Sequence, residues 1–158
     1  MIYINIFLII ILIVFVIILI RKQLLEYYNS QEPKINELRQ LFNNFFNQKR
    51  QWPSQLNMLN DSDIIKNVSL YRGNKSYTIN KHKIYLCLKD NNKQYYSDNT
   101  LIYVLAHEYS HVLCPEIGHT KKFDEIFSAL LDELIQDGIY DPTQNIPQDY
   151  CKLGDNEI

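Results

Sequence analysis

Between Ile2 and Ile20 the chain reads IYINIFLIIILIVFVIILI, and Asn5 alone interrupts an otherwise apolar run. At about 1.5 Å of rise per residue, a helix of this length covers the ~30 Å hydrocarbon core of a bilayer. The competing reading is a buried core helix. A helix of a soluble domain needs a polar face, however, and this run is apolar on every side. The run therefore predicts a transmembrane anchor over residues 1–20. No basic residue precedes it and no small-residue cleavage site comes before Arg21, so it reads as an anchor and not a cleaved leader. Arg21 and Lys22 abut its end, and the positive-inside bias puts the remainder on the cytoplasmic side of a single-pass membrane protein.

The cysteines argue in the same direction. Cys87, Cys114 and Cys151 make an odd number, which suits a reducing compartment better than a disulfide framework, and Cys87 and Cys114 read as buried thiols. Glycosylation sequons at Asn60, Asn67 and Asn74 point the other way, in only a weak excess over chance. With four Gly and three Cys, collagen-like and disulfide-rich scaffolds are excluded, and one small domain follows the anchor. Residues 51–115 carry seven bases against five acids, and residues from Glu116 onward three bases against ten acids, which is no nucleic-acid footprint. Richness in Asn, Ile, Lys and Tyr suggests AT-rich coding, as in a large DNA virus, so the bilayer fits a cell, an organelle or a virus particle.

Within residues 21–50, Ser30 and Pro33 read as a helix start, and Ile35, Leu38, Phe42, Phe45 and Phe46 recur at helical spacing. This predicts a juxtamembrane amphipathic helix that ends around Trp52 and Pro53. A shorter helix is expected near Leu56 to Leu59. Val68 to Tyr71, Tyr77 to Ile79 and Ile84 to Leu88 read as strands of a small antiparallel sheet, separated by Arg72-Gly73-Asn74 and Asn80-Lys81. Leu101 to Leu113 reads as an apolar helix capped by Asp98 or Asn99 and stopped by Pro115. Phe123, Ile126, Phe127, Leu130, Leu131, Leu134 and Ile135 mark the clearest helix, with Gly138 placed for a left-handed cap. The whole is an α+β domain over residues 51–140, followed by an irregular tail over residues 141–158.

The chemistry lies in the string LAHEYSHVL. At 100° per residue, His111 lies about 40° round from His107 and Glu108 about 100° round, so all three project from one side of the helix. Two imidazoles one turn apart can grip one zinc ion, and a carboxylate beside them can serve as general base. Chance alone yields roughly 0.005 such matches in a chain of this composition. A catalytic zinc needs a third protein ligand. His119 is the first candidate, since Pro115 ends the helix and Gly118 lets the chain turn back; Cys114, Glu116, Asp124 and Glu125 are the alternatives. The metzincin spacing does not fit, because Cys114 and Ile117 stand where that motif needs Gly and His. His82 reads as an ordinary strand-region histidine.

The string HEYSHVLCPEIGHTKKF resembles the active-site region of the WLM and SprT-like zinc peptidases, in which an HExxH helix, a short turn and a His followed four residues later by an aromatic recur. His107, Glu108, His111, His119 and Phe123 fill those places, and the resemblance covers roughly residues 64–137. It implies a minimal zincin-like domain with one Zn2+ per chain held by His107, His111 and His119. It also implies that Glu108 is the catalytic base acting on a protein or peptide substrate, and that Phe123 packs so as to fix His119. Tyr71, Tyr77, Tyr140 and Tyr150 are candidate oxyanion donors. Ile84 to Leu88 is the run that could pair with an extended peptide, or else an ordinary core strand. A catalytically inactive zincin fold, used as a membrane-tethered binding or structural module, is the alternative, as is an accidental motif on a membrane scaffold.

Overall fold

The computed structural model describes residues 2–60 and 62–151; Met1 of the expected anchor and residues 152–158 of the expected tail lie outside them. The first helix, α1, spans Ile2–Ser30 and so runs well beyond Ile20. The residues after Arg21 contain neither Gly nor Pro, and nothing stops the helix until Pro33 approaches. Among the described residues, one helix is long and apolar enough to cross a membrane, and its apolar residues from Ile6 to Ile20 are exposed.

The second helix, α2 (Pro33–Phe46), begins with Pro33 in its first turn, after Glu32, with no side-chain cap. Ser30 is not its start, because that hydroxyl donates back to Tyr27 O inside α1. The five predicted apolar positions are all buried, and they enter the domain core: Phe42 stacks on Tyr109 with centroids 5.1 Å apart. The Arg50 guanidinium lies over the rings of Phe45 and Trp52 and pairs with Glu133 at 2.7 Å and with Asp137. A 3-10 turn (Ser54–Asn60) and the short α3 (Ser62–Lys66) lead into the strands.

The sheet comprises β1 (Ser69–Gly73), β2 (Tyr77–Ile79) and β3 (Lys83–Cys87) in the order β1-β3-β2. It is mixed and not antiparallel throughout: β3 runs parallel to β1 and antiparallel to β2. A simple meander would place β2 in the middle. Burial decides against that, because β3 carries Ile84 and Leu86, both fully buried, whereas β2 has only three residues and exposes two of them. The chain therefore crosses over the end of β3. Gly73 makes the crossing possible, since a Cβ there would meet Lys75 O at 2.7 Å and the Tyr85 Cβ at 3.0 Å.

Helix α4 (Asp98–Leu113) packs on the inner face of the sheet and α5 (Lys121–Gln136) packs on α4. The cap of α4 is Ser97, not Asp98 or Asn99: its hydroxyl accepts from Thr100 N at 3.2 Å. Asn99 instead turns inward and exchanges two hydrogen bonds with the backbone of Asp141, at 3.0 and 2.8 Å. Along α5, Phe123, Ile126, Leu130 and Leu134 are buried, and Gly138 follows in the left-handed region at φ +67°. The tail returns to the sheet, where Cys151 forms a disulfide with Cys87 and leaves Cys114 as a buried free thiol. This corrects the reading of Cys87 as a free thiol. An odd cysteine count thus no longer argues for a reducing compartment, because it resolves into one bridge and one buried thiol.

Candidate metal centre

The centre is built where α4 ends and α5 begins. His107, Glu108 and His111 leave α4 on one side, as their spacing requires. The helix stops at Cys114, whose backbone turns extended before Pro115, and Gly118 at φ +84° reverses the chain. Thr120 caps α5 by accepting from Phe123 N at 3.3 Å, which leaves His119 just ahead of the helix. One ligand atom from each of His107, His111 and His119 lies within 4.8 Å of the other two, so these three histidines could hold a metal ion. The Nε2 atoms of His107 and His119 are 3.0 Å apart. Two nitrogens bound to one tetrahedral zinc at ~2.0–2.1 Å sit about 3.3 Å apart, so the pair needs only a small adjustment to accept such an ion.

The imidazoles rest on an aromatic floor. The Phe123 ring lies 4.4 Å from His111, 4.8 Å from His119 and 4.9 Å from His107, and Phe127 lies 5.3 Å from His107. Burial, with His111 and His119 close by, pushes the His107 imidazole down to about 4. His111 is also lowered, by burial and then by His119 and Lys81. Both rings are therefore neutral near pH 7, the form that binds metals.

Glu108 is only 4% exposed. Burial raises its carboxyl to about 7, against a hydrogen bond from Thr78 that favours the charged form. The Thr78 Oγ1 lies 2.7 Å from Glu108 Oε2 and 3.1 Å from the Glu108 carbonyl oxygen. Thr78 lies on β2, so the sheet's edge strand orients the carboxylate. These groups open into a cleft of about 510 Å³ walled by β2, by the turn at Asn80-Lys81 and by the 116–119 segment.

Of the alternative ligands, Glu116 lines this cleft, Asp124 and Glu125 line a different one along α5, and Cys114 is buried apart from the cluster. His82 is exposed and bonds through Nδ1 to Asn80 O at 2.8 Å. Among the four tyrosines, Tyr77 lines the cleft. The Tyr150 hydroxyl is engaged by Ser76 Oγ at 2.9 Å and donates to Cys87 O at 2.5 Å. Tyr71 stacks on Tyr85, and Tyr140 packs beside Tyr103. The strand Ile84 to Leu88 cannot take a peptide partner along β3, because both edges of that strand are already paired. Two site residues escaped the sequence reading: Thr78, and Lys81, whose Nζ donates to Cys114 O at the end of α4. Both come from a hairpin that no helix-spacing argument connects to the motif. The Asn80-Lys81 turn, with φ +49° and +58°, was the one local signal near them.

No family model matches the chain, and no solved structure matches it. An uncharacterised protein of Invertebrate iridescent virus 6 is 44% identical over 106 residues, which cover 65% of this chain and 60% of the relative. An uncharacterised protein of Invertebrate iridescent virus 3 is 46% identical over 99 residues, 62% of each chain. A third, from Acanthamoeba polyphaga mimivirus, is 37% identical over 98 residues, 56% of this chain and 50% of the relative. The chain thus spans about three fifths of the length of the first two, and all three relatives are viral proteins.

Proposed function

We propose that the chain is a membrane-anchored zinc metallopeptidase with a minimal zincin-like domain. In this reading His107, His111 and His119 hold one zinc ion and Glu108 is the general base. The observation that carries it is the convergence, in one open cleft, of three imidazole ligands with a buried, hydrogen-bonded carboxylate. A purely structural zinc site closes with a fourth protein ligand and has no use for a base. Zinc, when bound, supplies Lewis acidity that polarises a carbonyl and brings the pKa of water toward ~7.

The protein groups then have separate tasks. Glu108, with its proton affinity near neutrality, accepts a proton from the attacking water and returns it to the leaving amine. Thr78 holds the carboxylate in place for both transfers. Phe123 keeps the three imidazoles in register by filling the space beneath them. The edge strand β2 offers its open side to an extended peptide.

The test is elemental analysis of the purified full chain beside Glu108→Gln and His119→Ala, with cleavage of an unstructured protein assayed on the same samples. Near one zinc per chain in the wild type and Glu108→Gln, loss of zinc in His119→Ala, and cleavage by the wild type alone are expected. Zinc without cleavage replaces the peptidase reading with a zincin-fold binding module. Absence of zinc overturns both.

A further inference from the structure

The sheet has an outer face that the proposed catalysis does not use. Opposite the buried Ile84 and Leu86, it presents Tyr71, Tyr85 and Tyr77 side by side in register, with ring centroids 5.2 and 4.9 Å apart. Ile79 lies across from Lys83 on the same face, and Ile79 and Tyr77 are 40% and 43% exposed. Tyr77 and Ile79 form the exposed end of this row, beside the half-buried Tyr71, Tyr85 and Lys83, and an aromatic row with an isoleucine and a lysine has the composition of a membrane interface, where amphipathic rings and cations gather.

The position of this face relative to a bilayer is set by α1. Glu26 accepts hydrogen bonds from Lys83 Nζ at 2.8 Å and from the Tyr85 hydroxyl at 3.1 Å, so the sheet is fastened to the helix at that level. Glu26 lies six residues past Ile20 on an unbroken helix, or about 9 Å along its axis. The headgroup layer is roughly 5–8 Å deep. The fastening point is therefore just above the headgroup layer and within a side chain's length of it, with Arg21 and Lys22 below it and the exposed Tyr27 and Tyr28 one to two residues beyond it.

We propose that the outer face of the sheet rests in the headgroup layer of the bilayer crossed by α1, with Tyr77 and Ile79 among anionic lipid headgroups and Glu26 as the clamp. This rests on α1 being the anchor. It also deepens the peptidase reading, because β2 turns Tyr77 and Ile79 outward and Thr78 inward toward Glu108. The rim of the cleft and the lipid contact are then the same three-residue strand. A substrate chain lying along β2 comes from the membrane surface, so the class of substrate is a juxtamembrane segment of a protein in the same bilayer.

The full chain, placed in nanodiscs of phosphatidylcholine with or without phosphatidylserine, carries a nitroxide in turn at Ile79→Cys, Val14→Cys and Lys121→Cys. The readout is the ratio of oxygen to nickel-chelate accessibility. The ratio at position 79 is expected to exceed that at 121 several-fold, to stay below that at 14, and to fall to the level of 121 when Glu26→Ala is added. In the unlabelled chain, phosphatidylserine is expected to slow backbone hydrogen exchange over residues 77–85 several-fold. A label at 79 as wet as at 121, or an unchanged exchange rate, overturns the proposal. A wet label at 14 shows that the anchor reading itself is wrong. None of these readouts depends on peptide cleavage, so they stand or fall separately from the peptidase assay.

Discussion

Replacing Thr78 with Val is the sharpest probe of the centre, because it removes one hydroxyl and little volume. That hydroxyl lies 2.7 Å from the Glu108 Oε2, on a side chain that is 4% exposed, so no solvent readily takes its place. A hydrogen bond to a charged group is worth about 1.5–3 kcal/mol, and each 1.4 kcal/mol is a factor of ten. The bond stabilises the carboxylate and not the acid, so losing it makes Glu108 hold its proton to higher pH. Activity that needs the carboxylate rises with pH through the Glu108 titration. The substitution is therefore expected to move that rise upward, cutting kcat/KM by about tenfold or more on its acidic side and much less above it. The assay is a pH profile of peptide cleavage on zinc-loaded wild type and Thr78→Val, with zinc content measured on each sample. An acidic limb that stays in place, or moves down, with zinc retained refutes the argument that Thr78 tunes the base.

Further outcomes follow from the same geometry. In metal-free protein the His107 imidazole is held down near 4 and His111 is lowered too, while in the unfolded chain both titrate near ~6.5. The unfolded state therefore takes up these protons first, whereas Glu108, raised to about 7, takes up its proton first in the folded state and offsets the effect. The histidine contribution is expected to appear as a fall in stability from pH ~6.5 through ~4 in chelator-treated Glu108→Gln, checked by denaturant melts across that range. Cys151→Ala opens a bridge spanning 64 residues, and loss of such a loop constraint costs about 2–4 kcal/mol, seen as a lower unfolding midpoint than wild type under non-reducing conditions. Gly118→Ala has open space around its Cβ but must hold φ +84°, so it is expected to cost about 1 kcal/mol in stability and to weaken zinc retention through His119, measured by competition with a chelator.

The parts of the molecule that could be read from the chain are those whose geometry is local. His107, Glu108 and His111 were legible because one helix fixes their angles. His119 was legible because Pro115 and Gly118 are backbone instructions in themselves. The parts that could not be read depend on which distant segments pair. Strand order rests on the burial of Ile84 and Leu86 relative to Tyr77 and Ile79, a comparison made only once α4 covers one face. Thr78 reaches Glu108 as a result of that order, 30 residues away in sequence. The bridge between Cys87 and Cys151 likewise needs the tail to return past α5. The cap of α4 failed for another reason. Ser97, Asp98 and Asn99 can all cap a helix, and the choice fell to Ser97 because Asn99 is recruited by the backbone of Asp141.

Helix α1 runs unbroken from Ile2 to Ser30, and the two-residue break before α2 is spanned by contacts on either side, from Glu26 to Lys83 and Tyr85 and from Arg39 to the carbonyls of Ser30 and Leu70, which fasten the apolar segment to the domain. A flexible linker would let the cleft sweep a hemisphere and meet any chain within its reach, at an effective concentration set by linker length. In the anchored arrangement proposed above, the domain is the end of a mast. It turns only as the helix turns in the plane of the bilayer, and its encounters reduce to a two-dimensional search at one fixed height.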